Sequence, residues 1–324
     1  MFDIIIERKI PSKILVLEAI HRRTNKSSEL QAFIENQIER AKIGFLGEKK
    51  VDRIWQEISF PEQSLLVHSF ETVNEFGFSH QMDTIFVNPN YTLVLEIKNV
   101  TGYIWYDNEK HQFLRRKKSG EVESFQSPIN QVRRHADFVE RLGLQLGLTF
   151  PIEKAVVIAE PSCVIGPVPN EVPIFHASGL PTELKKWFEK HQNSKLYDEH
   201  FHLLTEDILT RHQPKIYKPR YEIPPIRKGT LCNCGRVMKF NRGKFECVCG
   251  VRSKEPLLQG LHDYRLLVNE WITNREFREF FKVENEDVVN KILFRMKLTY
   301  EGSTKSRKYL IPENIWEENN NILI

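Results

Sequence analysis

Three charged residues stand inside two apolar, strand-like runs, and they restrict this chain more than any other feature. The runs are Met82-Asp83-Thr84-Ile85-Phe86-Val87 and Tyr91-Thr92-Leu93-Val94-Leu95-Glu96-Ile97-Lys98. Asn88-Pro89-Asn90 between them is a turn signal, so the pair reads as an antiparallel hairpin. A turn centred between Pro89 and Asn90 sets Val87 against Thr92, Ile85 against Val94 and Asp83 against Glu96. The two carboxylates then share a face about 5 Å apart, and the strand period of two adds Lys98 beside them. A turn of odd length would rotate Asp83 to the other face. Like charges opposed on a sheet destabilise it, and Leu93, Leu95 and Ile97 point to burial rather than a solvated edge. A cation between the carboxylates resolves that conflict.

Carboxylates, a backbone carbonyl and waters are the ligands that Mg²⁺ takes, and the same geometry suits Mn²⁺. In phosphodiester hydrolysis such an ion polarises a phosphoryl oxygen and lowers the pKa of a bound water. Lys98 would position that water and offset the developing charge. The competing reading of Glu-x-Lys is an alternating, salt-bridged strand surface. Two further segments bear on the choice. Glu48 shares a helical face with Val51, Asp52 and Trp55, and the apolar part of that face turns it inward. Ser127-Pro128 opens a helix with Ser at the cap and Pro in the first turn, and Gln131 follows one turn later.

Taken in chain order, Gly47-Glu48, Met82-Asp83, Glu96-Ile97-Lys98-Asn99, Gly102 and Ser127-Pro128-Ile129-Asn130-Gln131 resemble the nuclease-related domain, NERD, of the PD-(D/E)XK nuclease superfamily. The resemblance covers Gln37 to Glu160, and Met82 stands where that superfamily has Pro. It implies an α/β, restriction-endonuclease-like core of helix, three antiparallel strands, helix and strand. The sequence supplies a helix near Ser28 to Ile58 and strands over Leu65 to Thr72, Met82 to Val87 and Tyr91 to Lys98. It adds a helix over Ile129 to Leu146, a buried strand over Lys154 to Ala159, and a decorating hairpin of Tyr103 to Tyr106 with Phe113 to Arg116. The resemblance further implies Asp83 and Glu96 as ligands of Mg²⁺ or Mn²⁺ and Lys98 as the water-positioning group. Glu48 and Gln131 become accessory groups around phosphate or a second ion.

Four of the five cysteines fall in Cys232-Asn233-Cys234-Gly235 and Cys247-Val248-Cys249-Gly250. Two such knuckles can complete a tetrahedral, closed Zn²⁺ site of structural rather than catalytic role, with each Gly relieving a tight turn. Val237 to Phe245 supplies a short hairpin between them, as in a zinc ribbon, although the usual ribbon spacing is Cys-x-x-Cys. Cys163 is left over and reads as a buried or incidental thiol. An odd cysteine count with this clustering argues against a secreted disulfide framework.

A Pro-punctuated connector, Pro214 to Pro225, precedes the knuckles. From Arg211 to Glu255 there are twelve Lys and Arg against three Glu, a zone suited to phosphate contact although the whole chain carries only +4. After Pro256 the pattern is three helices, Leu257 to Glu270, Thr273-Asn274 to Phe281 and Glu284 to Met296, then a hairpin over Leu298 to Ile311. It resembles a winged helix-turn-helix. That resemblance implies Val283 to Met296 as recognition helix and Lys305, Arg307 and Lys308 as wing contacts to nucleic acid. Glu284, Glu286 and Asp287 crowd the start of that helix, so the module would also suit a protein partner.

The expected organisation is therefore an N-terminal helical extension (1–36), the NERD domain (37–160), a core extension and connector (161–228), a four-cysteine zinc ribbon (229–256) and a winged-helix-like domain (257–324). No run approaches the roughly 18 apolar residues of a membrane span, and charges interrupt any apolar leader in Met1 to Ile20. These readings converge on a cytoplasmic, Mg²⁺- or Mn²⁺-dependent nuclease acting on nucleic acid, DNA first. The rivals are a nucleic-acid-binding protein with a vestigial core and a regulatory adaptor. RNA as substrate, cleavage mode and oligomeric state stay open.

Overall fold

Strands that are apolar on both faces need cover on both sides, and the first half of this chain provides it. The structure, a computed structural model, describes residues 4–24, 28–59, 63–303 and 306–316. It divides into two units, Met1–Ile10 with Arg40–Lys215 and Pro11–Glu39 with Ile216–Ile324. Strand β1 (Ile4–Ile6) leads to helices α1 (Ser12–Arg23) and α2 (Ser28–Gln56). Strands β2 (Leu65–Val73), β3 (Ser79–Val87), β4 (Thr92–Lys98), β5 (Tyr103–Asp107), β6 (Gln112–Arg116) and β7 (Val122–Phe125) follow, then helix α3 (Pro128–Gln145). Strands β8 (Ile152–Ile158), β9 (Val164–Ile165) and β10 (Ile174–His176) and helices α4 (Leu180–His191) and α5 (Asp198–Arg211) complete the first unit, to which α1 and the part of α2 up to Glu39 do not belong.

Its main sheet has the order β1-β2-β3-β4-β8-β10. The β2–β3 and β3–β4 pairs are antiparallel, and β1–β2, β4–β8 and β8–β10 are parallel. Alternation sorts the side chains. Leu65, Val67, Ile85, Val87, Val94 and Val156 face a core that Ile129, Val132 and Val139 of α3 and Phe201 and Leu204 of α5 complete. Leu66, Phe86, Leu93, Leu95, Ala155 and Val157 face the opposite way, against Val51 and Trp55 of α2 and Leu180 and Leu184 of α4. Each large aliphatic side chain withdrawn from water in this way contributes about 1.5–3 kcal/mol. A smaller sheet, β7-β6-β5-β9, extends the expected hairpin by a strand on each side.

The turn that sets the register is built as its composition predicts. Asn88 Oδ1 accepts the N–H groups of Asn90 (2.7 Å) and Tyr91 (3.2 Å), and Val87 pairs with Thr92. The segment read as an N-terminal extension is divided: β1 and the residues to Ile10 lie in the first unit, and α1 lies in the second.

In the second unit, strands β11 (Lys239–Asn241), β12 (Lys244–Glu246) and β13 (Arg252–Ser253) form a small antiparallel sheet around the cysteines. Then come α6 (Pro256–Leu267), β14 (Trp271–Thr273), α7 (Asn274–Phe281), α8 (Glu286–Arg295), β15 (Tyr300–Glu301) and β16 (Lys308–Leu310). Thr273 and Glu276 form a capping box on α7, and Asn285 caps α8. β14 corrects the expected helix end: α6 stops at Leu267, Asn269 Oδ1 accepts the Trp271 N–H at 2.9 Å, and the next residues pair with β16. Cys232, Met238, Phe245 and Cys247 share one core with Leu257, Leu261, Phe277 and Phe281. No helix among the described residues is long and apolar enough to cross a membrane.

Helix α1 is tied to α6 through a buried acid. Asp263, fully buried, accepts from Arg23 Nε at 2.7 Å, Arg22 Nη2 at 2.9 Å and Gln259 Nε2 at 3.1 Å. Arg23 then donates to the carbonyls of Arg227 (2.9 Å) and Gly229 (3.1 Å). Removing one partner of such a pair strands the other in a dry site. Asp263→Ala should destabilise the second unit by about 3 kcal/mol or more, read as an earlier denaturant midpoint for Trp271 and Trp316 fluorescence.

Candidate active site

The β3–β4 ladder runs from Val87↔Thr92 to Thr84↔Leu95 and stops just short of Asp83 and Glu96. Beyond that point a side chain replaces the backbone: Asp83 Oδ2 accepts the Ile97 N–H at 2.6 Å. Glu96 and Lys98 follow Val94 on one face by the strand period, toward α3. Lys98 Nζ donates to Glu96 Oε1 at 2.5 Å and to Gln131 Oε1 at 3.4 Å. Gln131 is held there by the helix start, where Ser127 Oγ accepts the Asn130 N–H and Pro128 occupies the first turn. Asp83, Glu96, Lys98 and Gln131 thus meet as the sequence pattern anticipated.

Glu48 arrives from α2, which lies hard against the end of β4. A Cβ on Gly47 would sit 2.3 Å from Asn99 Cβ, and Asn99 Nδ2 donates to the Ile43 carbonyl at 2.7 Å. Only a glycine lets the helix approach this closely.

The charges do not balance internally. Burial, then the neighbouring Asp83, raises Glu96 to about 8 and Glu48 to about 7. Burial also raises Asp83, although Lys98 and the Ile97 N–H oppose it. Burial disfavours charge on Lys98, yet the combined pull of Glu96, Asp83 and Glu48 wins and raises its pKa. Glu96 Oε2 is buried with no hydrogen-bond partner. An unsatisfied buried carboxylate oxygen beside a second, half-buried carboxylate is a donor set suited to a hard divalent cation, so the residues fit the Mg²⁺ or Mn²⁺ that the sequence led us to expect.

Three contributors escaped the sequence analysis. Arg8, just after β1, donates to Glu48 Oε2 and Ser69 Oγ at 2.7 Å, to Asp52 at 3.0 and 3.1 Å, and to the Asp83 carbonyl at 2.7 Å. Asp52, one helical turn beyond Glu48, also meets His68 Nδ1 at 3.2 Å. Burial drives His68 down to about 4, which keeps it neutral. The contacts of Arg8, which include the Thr84 hydroxyl at 3.4 Å, span 40 to 76 residues of sequence. The one local signal was an Arg two positions beyond an Ile-Ile-Ile run.

The second unit carries a separate donor set. The sulfurs of Cys232, Cys234, Cys247 and Cys249 all lie within 4.8 Å of one another, with closest pairs at 3.5 and 3.6 Å, and all four are free thiols. Four thiolates about 2.3 Å from a tetrahedral zinc stand about 3.8 Å apart. The knuckles repeat one design: Cys232 N–H donates to Arg236 O and Cys247 N–H to Val251 O, each at 2.8 Å, with Gly235 and Gly250 at positive φ. The Val251 N–H, followed by the neighbouring thiols, draws Cys249 down to about 7, whereas in Cys247 and Cys232 a backbone N–H is outweighed by burial and neighbouring thiols, which raise the thiol. In the terminal hairpin, Arg307 stacks over Tyr300 at 4.5 Å, while Lys308 pairs with Glu301 at 3.0 Å and lies over Trp271. Lys305 lies outside the described residues.

Comparison with known proteins adds three findings. Residues 43–159 match the profile of the family described as the nuclease-related domain. An uncharacterized protein of Bacillus anthracis is 34% identical over 103 residues, which make up 31% of this chain and 46% of that protein. The match thus spans about half the length of that curated relative. Among solved structures, Can2 from Sulfobacillus thermosulfidooxidans in complex with cyclic tetra-adenylate is similar at a TM-score of 0.28 and 15% identity, over 55% of this chain and 51% of that one.

Two glycines of α2 make the helix approach testable. Gly47→Ala must push α2 away from Asn99 and should destabilise the first unit by about 1–3 kcal/mol. A Cβ at Gly44 would meet nothing within 4 Å. Gly44→Ala should therefore stabilise by about 0.5–1 kcal/mol. Chemical denaturation of both variants reads the opposite signs, and equal signs would refute the close approach.

Proposed function

We propose that this chain, whose residues 43–159 match the nuclease-related domain of the PD-(D/E)XK-like nuclease superfamily, hydrolyses phosphodiester bonds of DNA in a reaction dependent on Mg²⁺ or Mn²⁺. The observation that carries the reading is buried Glu96 beside half-buried Asp83, with Glu96 Oε2 unsatisfied and Lys98 alongside. When bound, a divalent cation supplies Lewis-acid activation of phosphate and water. Asp83 and Glu96 are the groups that would hold it. Asp83 is aimed by the Ile97 N–H, so its second oxygen is presented in a fixed direction. Lys98, beside Glu96 and Gln131, would position the attacking water and offset negative charge as it grows on the phosphoryl oxygens. Gln131 orients Lys98, and Glu48 stands as an accessory carboxylate.

The cysteine cluster supports a structural zinc ribbon. Helices α6, α7 and α8 with the β15–β16 hairpin support a winged-helix-like module over 257–324, in which Arg307 and Lys308 contact phosphate. Glu284, Glu286 and Asp287 at the start of α8 would repel the DNA backbone, so contacts of this module carry little base specificity.

Cleavage assays with Mn²⁺ test the catalytic reading. Asp83→Asn and Lys98→Ala should each lower the rate by at least about a hundredfold, since each removes a group acting on developing charge. Equal rates in wild type and both folded variants would discard it. Elemental analysis tests the ribbon separately. One zinc per chain should copurify, and Cys249→Ser should release it and loosen the second unit while the first stays folded. Protein purified without chelator and found free of zinc would reject the ribbon.

A further inference from the structure

Arg8 lies outside the stretch that matches the nuclease-related family, yet it is the most connected side chain at the site. Its guanidinium has zero side-chain exposure, so it cannot touch a substrate. All five of its N–H donors are engaged. Nε and one N–H of Nη2 hold the two oxygens of Asp52, the two N–H groups of Nη1 hold Glu48 Oε2 and Ser69 Oγ, and the remaining Nη2 N–H takes the Asp83 carbonyl. Two acids on α2 are thereby joined to the backbone of the acid on β3.

The main sheet is interrupted where this happens. The β2–β3 ladder pairs His68 with Thr84 and Phe70 with Met82 but skips Ser69 and Asp83. Ser69 adopts φ 53°, a left-handed conformation that a non-glycine residue enters at a cost of about 1–3 kcal/mol. The skipped pair leaves the Asp83 carbonyl and the Ser69 hydroxyl for Arg8. The irregularity also shifts the alternation of both strands, so that Val67 and Phe70, and Ile85 and Met82, all reach the same core. The same break opens the place where the guanidinium is seated.

We infer that Arg8 is a positioning residue of the hydrolytic site, holding Glu48 in place beside Asp83 so that the acidic cluster binds its divalent cation tightly. The inference rests on the function proposed above. Because Arg8 acts through the charged Glu48 carboxylate, its effect should vanish when that carboxylate is replaced by an amide. A merely structural Arg8 would instead lower the melting temperature and leave cation affinity of the folded protein unchanged.

Titration calorimetry with Mn²⁺ on the folded full chain distinguishes these roles without relying on turnover. Arg8→Gln should weaken Mn²⁺ binding by about tenfold or more, as loss of a group supporting a metal site from behind does, and Glu48→Gln should do likewise. In the Glu48→Gln background, Arg8→Gln should weaken it by less than about twofold further. Losses that multiply, or single variants that bind Mn²⁺ as wild type does, overturn the inference and leave the proposed hydrolysis standing on its cleavage assay. A wild-type chain that neither binds Mn²⁺ nor cleaves DNA removes both. Arg8→Lys keeps the charge but cannot span Glu48, Asp52 and the Asp83 carbonyl together. It should show the same loss, and it carries the test if Arg8→Gln fails to fold.

Discussion

The carboxyl groups of Glu48, Asp52, Asp83 and Glu96 are gathered at the margin of an apolar sheet, where Arg8 and Lys98 are the cations that face them. An unpaired buried charge costs several kcal/mol, so a fold tolerates such a cluster only if local structure is bent to serve it. That bending is visible. The β3–β4 ladder ends early so that an Asp83 oxygen can take a backbone N–H. The β2–β3 ladder skips a pair so that Arg8 can enter. Gly47 removes the one methyl that would keep α2 and its Glu48 at a distance. Each departure from regular structure in this region lies next to an acid.

The second unit meets the same problem with different chemistry. Asp263 is fully buried, but two arginines and a glutamine satisfy it, and nothing there calls for an ion. The cysteines are the opposite case: four sulfurs converge with only one another and a few N–H groups as partners, a set that zinc would complete. Saturation by protein donors marks a structural charge, and an incomplete donor set marks a place for a cation. By that measure Asp263 belongs to the first kind and Glu96, with Oε2 unsatisfied, to the second.

Much of the site was legible because its signals are local. Asn88-Pro89-Asn90 dictates a turn, the turn dictates the register, and a period of two puts Glu96 and Lys98 on one face, while Asp83 is placed beyond the end of the ladder by the Ile97 N–H. Ser127-Pro128 starts α3 and so places Gln131. The cysteine knuckles are readable for the same reason, since each is closed within a few residues. β14 was missed because three residues beyond a helix show no periodicity of their own and become a strand only by pairing with β16, more than 30 positions later.

The sequence by itself determined strands β2 to β6, the β3–β4 register, the helix that presents Gln131 and the grouping of the thiols, because hydrogen bonds and periodicities a few residues long decide them. Only the tertiary structure decided that Arg8 belongs to the acidic cluster and that Ser69 is strained. It also decided that Asp52 holds a guanidinium rather than solvent, and that Glu96 keeps an unsatisfied oxygen. These depend on which buried groups find partners across 40 or more residues of chain. Composition and spacing carry no record of that pairing, because desolvation is felt by a charge only once the chain has closed around it.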